Sequence, residues 1–344
     1  MGLVYVGIDE AGYGPLLGPL TIASATVRVG SWKPGDKAPD VWKLLRSCVA
    51  RHGETGKDKS RLLVDDSKKL KLAKDGKRHP LTNLERGVLS FLSCSETPIP
   101  EADLDLFAAL GSKLENLPWY DGEAAAIPVS VPGEDGRSAI RIGANTLRRG
   151  LADAEVAVSR IACKSVGETL FNHTVRAEGS KAACTAKGVA YHLQHAWDEW
   201  APLAAERPEE EAVRVVCDRQ GGRVDYEEHL AAMVPGCTVK VLEQRPERSR
   251  YELTGIGADE QKRAMTVIFM PEAESHHFPV ALASMTAKYV RELIMGRFNR
   301  FWCGRFAQLK PTAGYREDAA RWLTDATRAG IISKEERTAM CRIA

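Results

Sequence analysis

Acidic side chains stand directly after short, almost wholly apolar segments of this chain, and this feature constrains the fold more than any other. Residues 3–9 and 213–217 are rich in β-branched and aliphatic side chains and predict buried strands. The first strand ends in Asp9 and Glu10, and Asp218 follows the second. Burying a carboxylate is costly unless a positive charge neutralises it. We therefore expect a sheet whose strand ends carry a charged site.

The remaining periodicity predicts strands and helices in one mixed architecture. Strands are expected at 3–9, 20–29, 156–164, 213–217, 238–242 and 265–270, with a tight turn joining the first two and a hairpin between the last two. Helices are expected at 41–51, 81–92, 181–200, 280–298, 317–329 and 333–342. Thr82 and Glu85 are spaced like a capping box at the start of the second helix. Strands mixed with helices indicate an α/β fold, a mixed β-sheet flanked by helices.

Composition gives a general class and little more. The net charge of +2 does not by itself favour a polyanionic partner, although basic clusters at 68–69, 71–74 and 245–250 offer either a binding face or a plain solvated surface. The eight cysteines form no CxxC pair, which is typical of reduced thiols in an intracellular protein. No signal-peptide leader and no apolar run of the roughly 20 residues that span a bilayer can be found. A cytoplasmic protein without membrane contact is expected.

Four acids follow predicted strands. Three are Asp9, Glu10 and Asp218, and the fourth is Glu274, which comes shortly after residues 265–270. Neighbouring strands lie about 4.8 Å apart, so their ends can bring several carboxyls together. Mutual repulsion would leave some of them protonated unless divalent cations neutralise them, and hard oxygen ligands suit Mg²⁺ or Mn²⁺. Two such ions can activate water and stabilise the leaving oxygen of a phosphodiester. The alternative is that each acid caps a turn or forms a salt bridge.

Several segments resemble, in order, the motifs of the ribonuclease HII family. Residues 7–19 read GIDEAGYGPLLGP, close to the family pattern G-[IV]-D-E-A-G-R-G-P-x-x-G-P. Further resemblances are DDSKKL at 65–70, VCD at 216–218, ASMTAKYVRE at 283–292 and AGY at 313–315. The resemblance implies a ribonuclease H-like fold and a metal-dependent endonuclease that hydrolyses the RNA strand of an RNA–DNA hybrid duplex, leaving a 3′-hydroxyl and a 5′-phosphate.

The resemblance also implies roles for particular residues. The metal ligands of a two-metal site, taking Mg²⁺ or Mn²⁺, would be Asp9, Glu10, Asp218 and Glu274. The nucleic-acid-binding residues would be Gly12, Tyr13 and Gly14, where the ribose 2′-hydroxyl is read, together with Ser67, Lys68, Ser284 and Tyr315. Glu292 would be structural, and His276 and His277 have no expected role. The chain would act as a monomer.

Departures from the family pattern concern the substrate more than the chemistry. Tyr13 stands where the family has arginine, which removes a charge-assisted phosphate contact. Glu274 and Glu292 each replace an aspartate, and Glu272 replaces a basic residue. Two alternatives therefore stay open: a ribonuclease H-fold nuclease with another nucleic-acid substrate, and a non-catalytic nucleic-acid-binding relative. Retention of four acids disfavours the second, because unneutralised carboxylates repel phosphates.

The resemblance also suggests how the chain is divided. The ribonuclease H-like catalytic domain would cover residues 1–300, and a helical region at 301–344 would pack on it. Insertions are expected near 30–60, 95–150 and 244–264, the second because prolines, glycines and short acidic stretches dominate its composition.

Overall fold

A computed structural model describes residues 2–54, 60–73, 77–95 and 97–343. Residues 55–59, 74–76 and 96, which belong to the predicted insertions near 30–60 and 95–150 and to the basic cluster at 71–74, lie outside the described residues. The strands are β1 (Gly2–Ala11), β2 (Leu20–Val29), β3 (Val49–Ala50), β4 (Leu62–Leu63), β5 (Val156–Val166), β6 (Glu211–Asp218), β7 (Cys237–Arg245), β8 (Arg248–Ile256) and β9 (Lys262–Met270).

Helices fill most of the remaining chain. They are α1 (Val41–Leu44), α2 (Ser67–Leu70), α3 (Thr82–Leu92), α4 (Asp103–Ala109), α5 (Glu134–Asp153), α6 (Glu168–Glu178), α7 (Ala182–Glu199), α8 (Ala201–Glu206), α9 (Glu227–Met233), α10 (Ala273–His276), α11 (Phe278–Arg305), α12 (Arg316–Arg328) and α13 (Lys334–Met340). None of the described helices has the length and apolarity that crossing a membrane requires.

Seven strands form one mixed sheet in the order β5-β2-β1-β6-β9-β8-β7. β1 pairs antiparallel with β2 and parallel with β6, which in turn runs parallel to β9. β7, β8 and β9 form an antiparallel meander, in which β8, from the segment near 244–264, lies between the two predicted strands at 238–242 and 265–270, so these two strands do not pair with each other. The predicted fold class, a mixed sheet flanked by helices, is confirmed.

Helices cover both faces of the sheet, and β1 shows why its sequence is apolar throughout. Leu3 and Tyr5 face the core formed with α3, α5, α11 and α12, whereas Val4, Val6 and Ile8 face the core formed with α6, α7, α8 and α9. A strand buried on both faces needs a continuous apolar run rather than an alternating one. The charged carboxyl end of β1, a central strand, therefore lies where the sheet emerges from between the two apolar layers.

The predicted helix at 41–51 is wrong beyond its first turn. α1 ends at Leu44, and Val49–Ala50 pairs instead with Leu62–Leu63 in a small parallel sheet. The amide N–H groups of Leu62 and Val64 donate to the carbonyls of Cys48 and Ala50. These long-range hydrogen bonds replace the helical ones that the local pattern would have made.

The predicted capping box is also wrong, although α3 itself is confirmed. Glu85 is fully buried and accepts hydrogen bonds from the Val129 amide (2.6 Å), the Ser130 amide (2.9 Å) and the Tyr289 hydroxyl (2.8 Å). Thr82 donates to the His79 carbonyl. Glu85 therefore joins three separate segments, and no local spacing rule could have indicated this.

Helix α5 was not predicted, because three glycines lower the helical propensity of its sequence. Gly136, Gly143 and Gly150 are spaced by seven residues and share one face of the helix. A Cβ atom at Gly150 would overlap the Cys48 sulfur, and one at Gly143 would come within 3.0 Å of the Ser90 hydroxyl. The glycines thus let α5 pack closely against its neighbours.

Candidate active site

The sheet register brings two of the four acids side by side. Ile8 and Cys217 are the last paired residues of the parallel strands β1 and β6, and both side chains lie in the core on the α7 side. Asp9 and Asp218 each come one residue later. Because side chains alternate along a strand, both point to the opposite face, where α11 packs. Asp218 also pairs in register with Met270, the last residue of β9.

Asp9 is 8% exposed and lies among other acids. Burial raises the pKa of Asp9 well above its usual value, and repulsion by Glu10, Asp218 and Glu274 raises it further. A hydrogen bond with the Ser284 hydroxyl of α11 lowers the pKa of Asp9 and offsets part of this rise. The Glu10 amide donates to the Asp9 carboxyl at 2.8 Å. Asp9 therefore stands at the centre of a cluster of like charges.

Burial raises the pKa values of the other three acids, and repulsion from Asp218 adds to it for Glu10 and Glu274. Burial, followed by repulsion from Asp218, raises the pKa of Glu10 to about 7. Burial also raises the pKa of Asp218, against hydrogen bonds from the Ala273 and Arg219 amides. Burial and repulsion from Asp218 raise the pKa of Glu274 as well. Mutual repulsion of this kind places the four carboxyls in one electrostatic site.

A strained turn delivers Glu274 to this site. Glu272 adopts a left-handed conformation with φ of 51°, which is rare for a residue other than glycine. The Ala273 amide, next to Glu274, donates to the Asp218 carboxyl at 3.2 Å. The Oε2 atom of Glu274 is buried and has no hydrogen-bond partner among the described residues. A buried carboxylate oxygen without a donor is costly, so this oxygen is available to a cation.

The four carboxyls share the site without being gathered around one point. Within the described ranges, no three or more His, Cys, Asp or Glu side chains are arranged so that they could hold a metal ion. Placing a metal ion between the acids would therefore require rotation of their side chains.

A cation and two hydroxyls border the acids. The charge of Lys68 lowers the pKa values of Glu10, Asp218 and Glu274, so its ammonium group faces all three. Ser284 Oγ lies 3.0 Å from Ser67 Oγ, which joins α11 to the start of α2. Both serines are nearly buried, whereas Lys68 is exposed. Lys68 is thus the member of this group that solvent reaches.

Tyr315 lies beside a second charged cluster on α11. Its ring is 45% exposed and stands over the Lys288 ammonium (5.5 Å) and the Arg291 guanidinium (5.3 Å). Glu292 forms ion pairs with Lys288 (2.9 Å) and Lys71 (2.7 Å). Burial alone would raise the pKa of Glu292, but the two lysines outweigh it and hold the pKa at about 2. Glu292 is therefore already neutralised by protein cations, consistent with its expected structural role.

The glycine turn at residues 12–18 projects next to the acids. Gly12 has φ of 91°, and a Cβ atom there would come within 2.5 Å of Arg291 Nε and 2.6 Å of the Pro19 carbonyl. Gly14 differs, since no described atom lies within 4 Å of where its Cβ would be. Tyr13, between them, is 42% exposed. The protein interior requires glycine at position 12, whereas the open space at Gly14 faces solvent.

Three residues that support this turn had no predicted role. Arg342 and Arg291 are buried beneath it, and Glu168 accepts a hydrogen bond from the Gly18 amide at 3.1 Å. Arg291 belongs to a matched motif, so its place in that motif was the available signal. Arg342 and Glu168 lie far away in sequence and show no local pattern.

Glu168 provides a prediction for stability as a function of pH. Burial raises the pKa of Glu168 from 4.5 to about 7, although its carboxyl accepts hydrogen bonds from the Tyr120 hydroxyl and the Gly18 amide. A raised folded-state pKa means that this group's stabilisation is complete below pH 4.5 and is lost as the pH rises through about 7. Glu168→Gln keeps an acceptor oxygen and removes the charge. We expect it to exceed the wild type by on the order of 1–3 kcal/mol at pH 8 and to match it at pH 4.5 in urea unfolding.

A constant difference between the two proteins at every pH would contradict this assignment. Glu209→Gln is a suitable control, because Glu209 is exposed in the turn between α8 and β6.

Comparison with known proteins finds similar solved structures at low identity. RNase HII in its complex with PCNA from Archaeoglobus fulgidus is 14% identical, with a TM-score of 0.42, over 99% of this chain and 94% of that one. Ribonuclease H2 from Pyrococcus horikoshii OT3 is 14% identical, with a TM-score of 0.40, over 98% and 92%. Bst-RNase HIII in complex with Mn²⁺ is 19% identical, with a TM-score of 0.41, over 99% and 66%.

No protein-family model and no curated protein matches the chain. The chain has the mixed sheet flanked by helices that its sequence predicts.

Proposed function

We propose that this protein is a metal-dependent endonuclease that hydrolyses the RNA strand of RNA–DNA hybrid duplexes and leaves a 3′-hydroxyl and a 5′-phosphate. The observation that carries the proposal is the group of four acids at one end of the sheet, all with raised pKa values, next to the exposed Lys68. Structural acids are usually neutralised by protein cations, as Glu292 is. Burial raises the pKa values of these four acids, and for Asp9, Glu10 and Glu274 the neighbouring carboxyls raise them further.

The donor set fits a hard divalent cation. Asp9, Glu10, Asp218 and Glu274 offer carboxylate oxygens, the ligands that Mg²⁺ and Mn²⁺ prefer, and the Oε2 atom of Glu274 is buried without a donor. These four residues would hold the metal ions, which when bound supply charge neutralisation and an activated water. Asp9 is held by the Glu10 amide, and the other acids would have to rotate toward it when a metal binds.

The exposed groups around the acids suit a nucleic-acid backbone. Lys68 offers a phosphate a mobile ammonium group, and Tyr13 and Tyr315 offer half-exposed rings and hydroxyls. Gly14, where a Cβ would meet open space, would let a ribose approach the backbone closely, and the role of Gly12 at the ribose stays a prediction. Ser67 and Ser284 are nearly buried, so we propose that they position Asp9 and α2, and a direct contact with nucleic acid stays a prediction.

A cleavage assay tests the proposal directly. The protein is incubated with Mg²⁺ or Mn²⁺ and with duplexes that carry one ribonucleotide, a continuous RNA strand, or DNA only. Cleavage of ribonucleotide-containing duplexes alone, with 5′-phosphate products, supports the proposal. Cleavage of DNA or of structured RNA would favour the alternative of a ribonuclease H-fold nuclease with another substrate. Metal-independent binding without cleavage would favour a non-catalytic relative.

Tyr13 is expected to influence which hybrid is preferred. A tyrosine gives a phosphate one neutral hydrogen bond, whereas arginine gives a charge-assisted one, and the difference is about 1 kcal/mol or roughly fivefold in affinity. We expect Tyr13→Arg to favour a duplex with one embedded ribonucleotide over a continuous RNA strand by about that factor. The ratio of the two cleavage rates measures this. An equal ratio in both proteins would show that Tyr13 does not set substrate choice.

A further inference from the structure

Arg342 lies beneath the glycine turn, although it is more than three hundred residues away in sequence. It follows α13 and is 3% exposed. Its guanidinium donates to the carbonyls of Gly12 (2.6 Å), Tyr13 (2.6 Å) and Gly18 (3.3 Å). Its amide donates to the Leu16 carbonyl at 2.9 Å. One residue thus binds four carbonyls of the turn.

The segment that carries Arg342 is itself held in place. The Asn172 side chain of α6 donates to the Cys341 carbonyl (2.8 Å) and accepts from the Ile343 amide (2.8 Å). The guanidinium of Arg342 stands 4.1 Å from the centre of the Phe171 ring. The segment on both sides of Arg342 is therefore anchored to α6 by hydrogen bonds that are independent of the turn.

These contacts determine the direction of two exposed N–H groups. In a trans peptide the carbonyl and the N–H point in opposite directions. With the carbonyls of Gly12 and Tyr13 directed inward to Arg342, the amides of Tyr13 and Gly14 point outward. Neither amide donates to an acceptor in the part of the chain that the structure describes, and both residues are exposed. Successive outward amides form a concavity suited to an anionic oxygen.

We propose that Arg342 is a positioning residue that orients the glycine turn so that its outward amides can donate hydrogen bonds to a phosphate oxygen of the substrate. The proposal rests on the proposed nuclease function. Its role is indirect, since Arg342 is buried and acts through the peptide groups of the turn. Position 13 carries a tyrosine, so the turn has no arginine side chain of its own to bind a phosphate. The buried Arg342 instead orders the backbone amides of the turn.

Variants at Arg342 test this with two readouts. We expect Arg342→Ala to raise KM for a duplex with one ribonucleotide about tenfold and to change kcat less than about threefold, since charge-assisted hydrogen bonds are lost from the binding turn. Hydrogen exchange at the Leu16, Leu17 and Gly18 amides, which donate to the Gly314 carbonyl and the Glu168 carboxyl, should accelerate at least about tenfold, while exchange in β1 and α11 stays as in the wild type. For Arg342→Lys, both KM and the exchange rates should lie between those of the wild type and those of Arg342→Ala. Arg337→Ala, on the exposed face of α13, is the matched control and should behave as the wild type.

The outcomes separate this inference from the proposed function. Unchanged exchange at the Leu16, Leu17 and Gly18 amides with unchanged KM in Arg342→Ala would overturn the inference. Equal acceleration throughout the chain would reduce Arg342 to a general structural role and would also overturn it. Faster exchange confined to the turn, in a protein whose wild type cleaves no hybrid duplex, would support ordering of the turn by Arg342 and overturn the nuclease function.

Discussion

Asp9→Asn is expected to reduce cleavage of a hybrid duplex by about a thousandfold or more while leaving the protein folded. Asp9 is buried among Glu10, Asp218 and Glu274, and its loss would remove a ligand from the proposed metal site, where transition-state stabilisation is worth several kcal/mol. The asparagine oxygen can still accept hydrogen bonds from the Glu10 amide and Ser284. Measurement requires initial rates in Mg²⁺ or Mn²⁺.

The thermal stability of Asp9→Asn should be unchanged or higher, although its activity falls. Removing one of several mutually repelling acids relieves repulsion in the metal-free protein. The thermal midpoint of Asp9→Asn in EDTA should therefore equal or exceed that of the wild type. Asp135→Asn, an exposed acid on α5, is the matched control and should keep full activity. Wild-type cleavage rates in Asp9→Asn would exclude the proposed mechanism.

Gly7→Ala should produce the largest loss of stability. Gly7 lies in β1 directly under the start of α11, and a Cβ atom there would overlap the backbone of Pro279 and Val280. Backbone cannot rotate away as a side chain can, so strand and helix must separate. We expect the free energy of unfolding to fall by about 3 kcal/mol or more, at or above the upper range for overpacking. Chemical denaturation at fixed pH measures the change.

Activity should fall together with stability in this variant. Asp9 stands two residues beyond Gly7 and is hydrogen-bonded to Ser284 of α11, so separating β1 from α11 displaces the carboxyl. Gly304→Ala is the matched control, because no described atom lies within 4 Å of the new Cβ. It should leave stability unchanged or slightly higher. If Gly7→Ala were as stable as Gly304→Ala, the close contact between β1 and α11 would have no energetic importance.

The sequence predicted the sheet and the long helices well, since their signals are local. The apolar runs at 3–9 and 213–217 lie within β1 and β6, and the pattern at 280–298 lies within α11. Each of these elements is buried along nearly its whole length, so hydrophobic burial and local periodicity favour the same structure. Once β1 and β6 were predicted, the positions of Asp9 and Asp218 at their carboxyl ends were predicted with them.

Elements stabilised by distant contacts were predicted poorly. The helix expected at 41–51 lost its second half to pairing with residues 62–63, and α5 was missed because its glycines read as breaks. In α5 the same glycines allow close contact with Cys48 and Ser90. Local propensity disfavours these residues in a helix, and tertiary packing reverses the preference.

By itself, the sequence determined which residues end the buried strands, and hence that Asp9 and Asp218 would stand at strand ends. Only the tertiary structure decided what surrounds them: Ser284 beside Asp9, Glu272 in a strained turn before Glu274, and Arg342 beneath the glycine turn. The reason is physical. A strand end follows from burial along one short segment, whereas a hydrogen bond between residues 12 and 342 depends on how the whole chain packs.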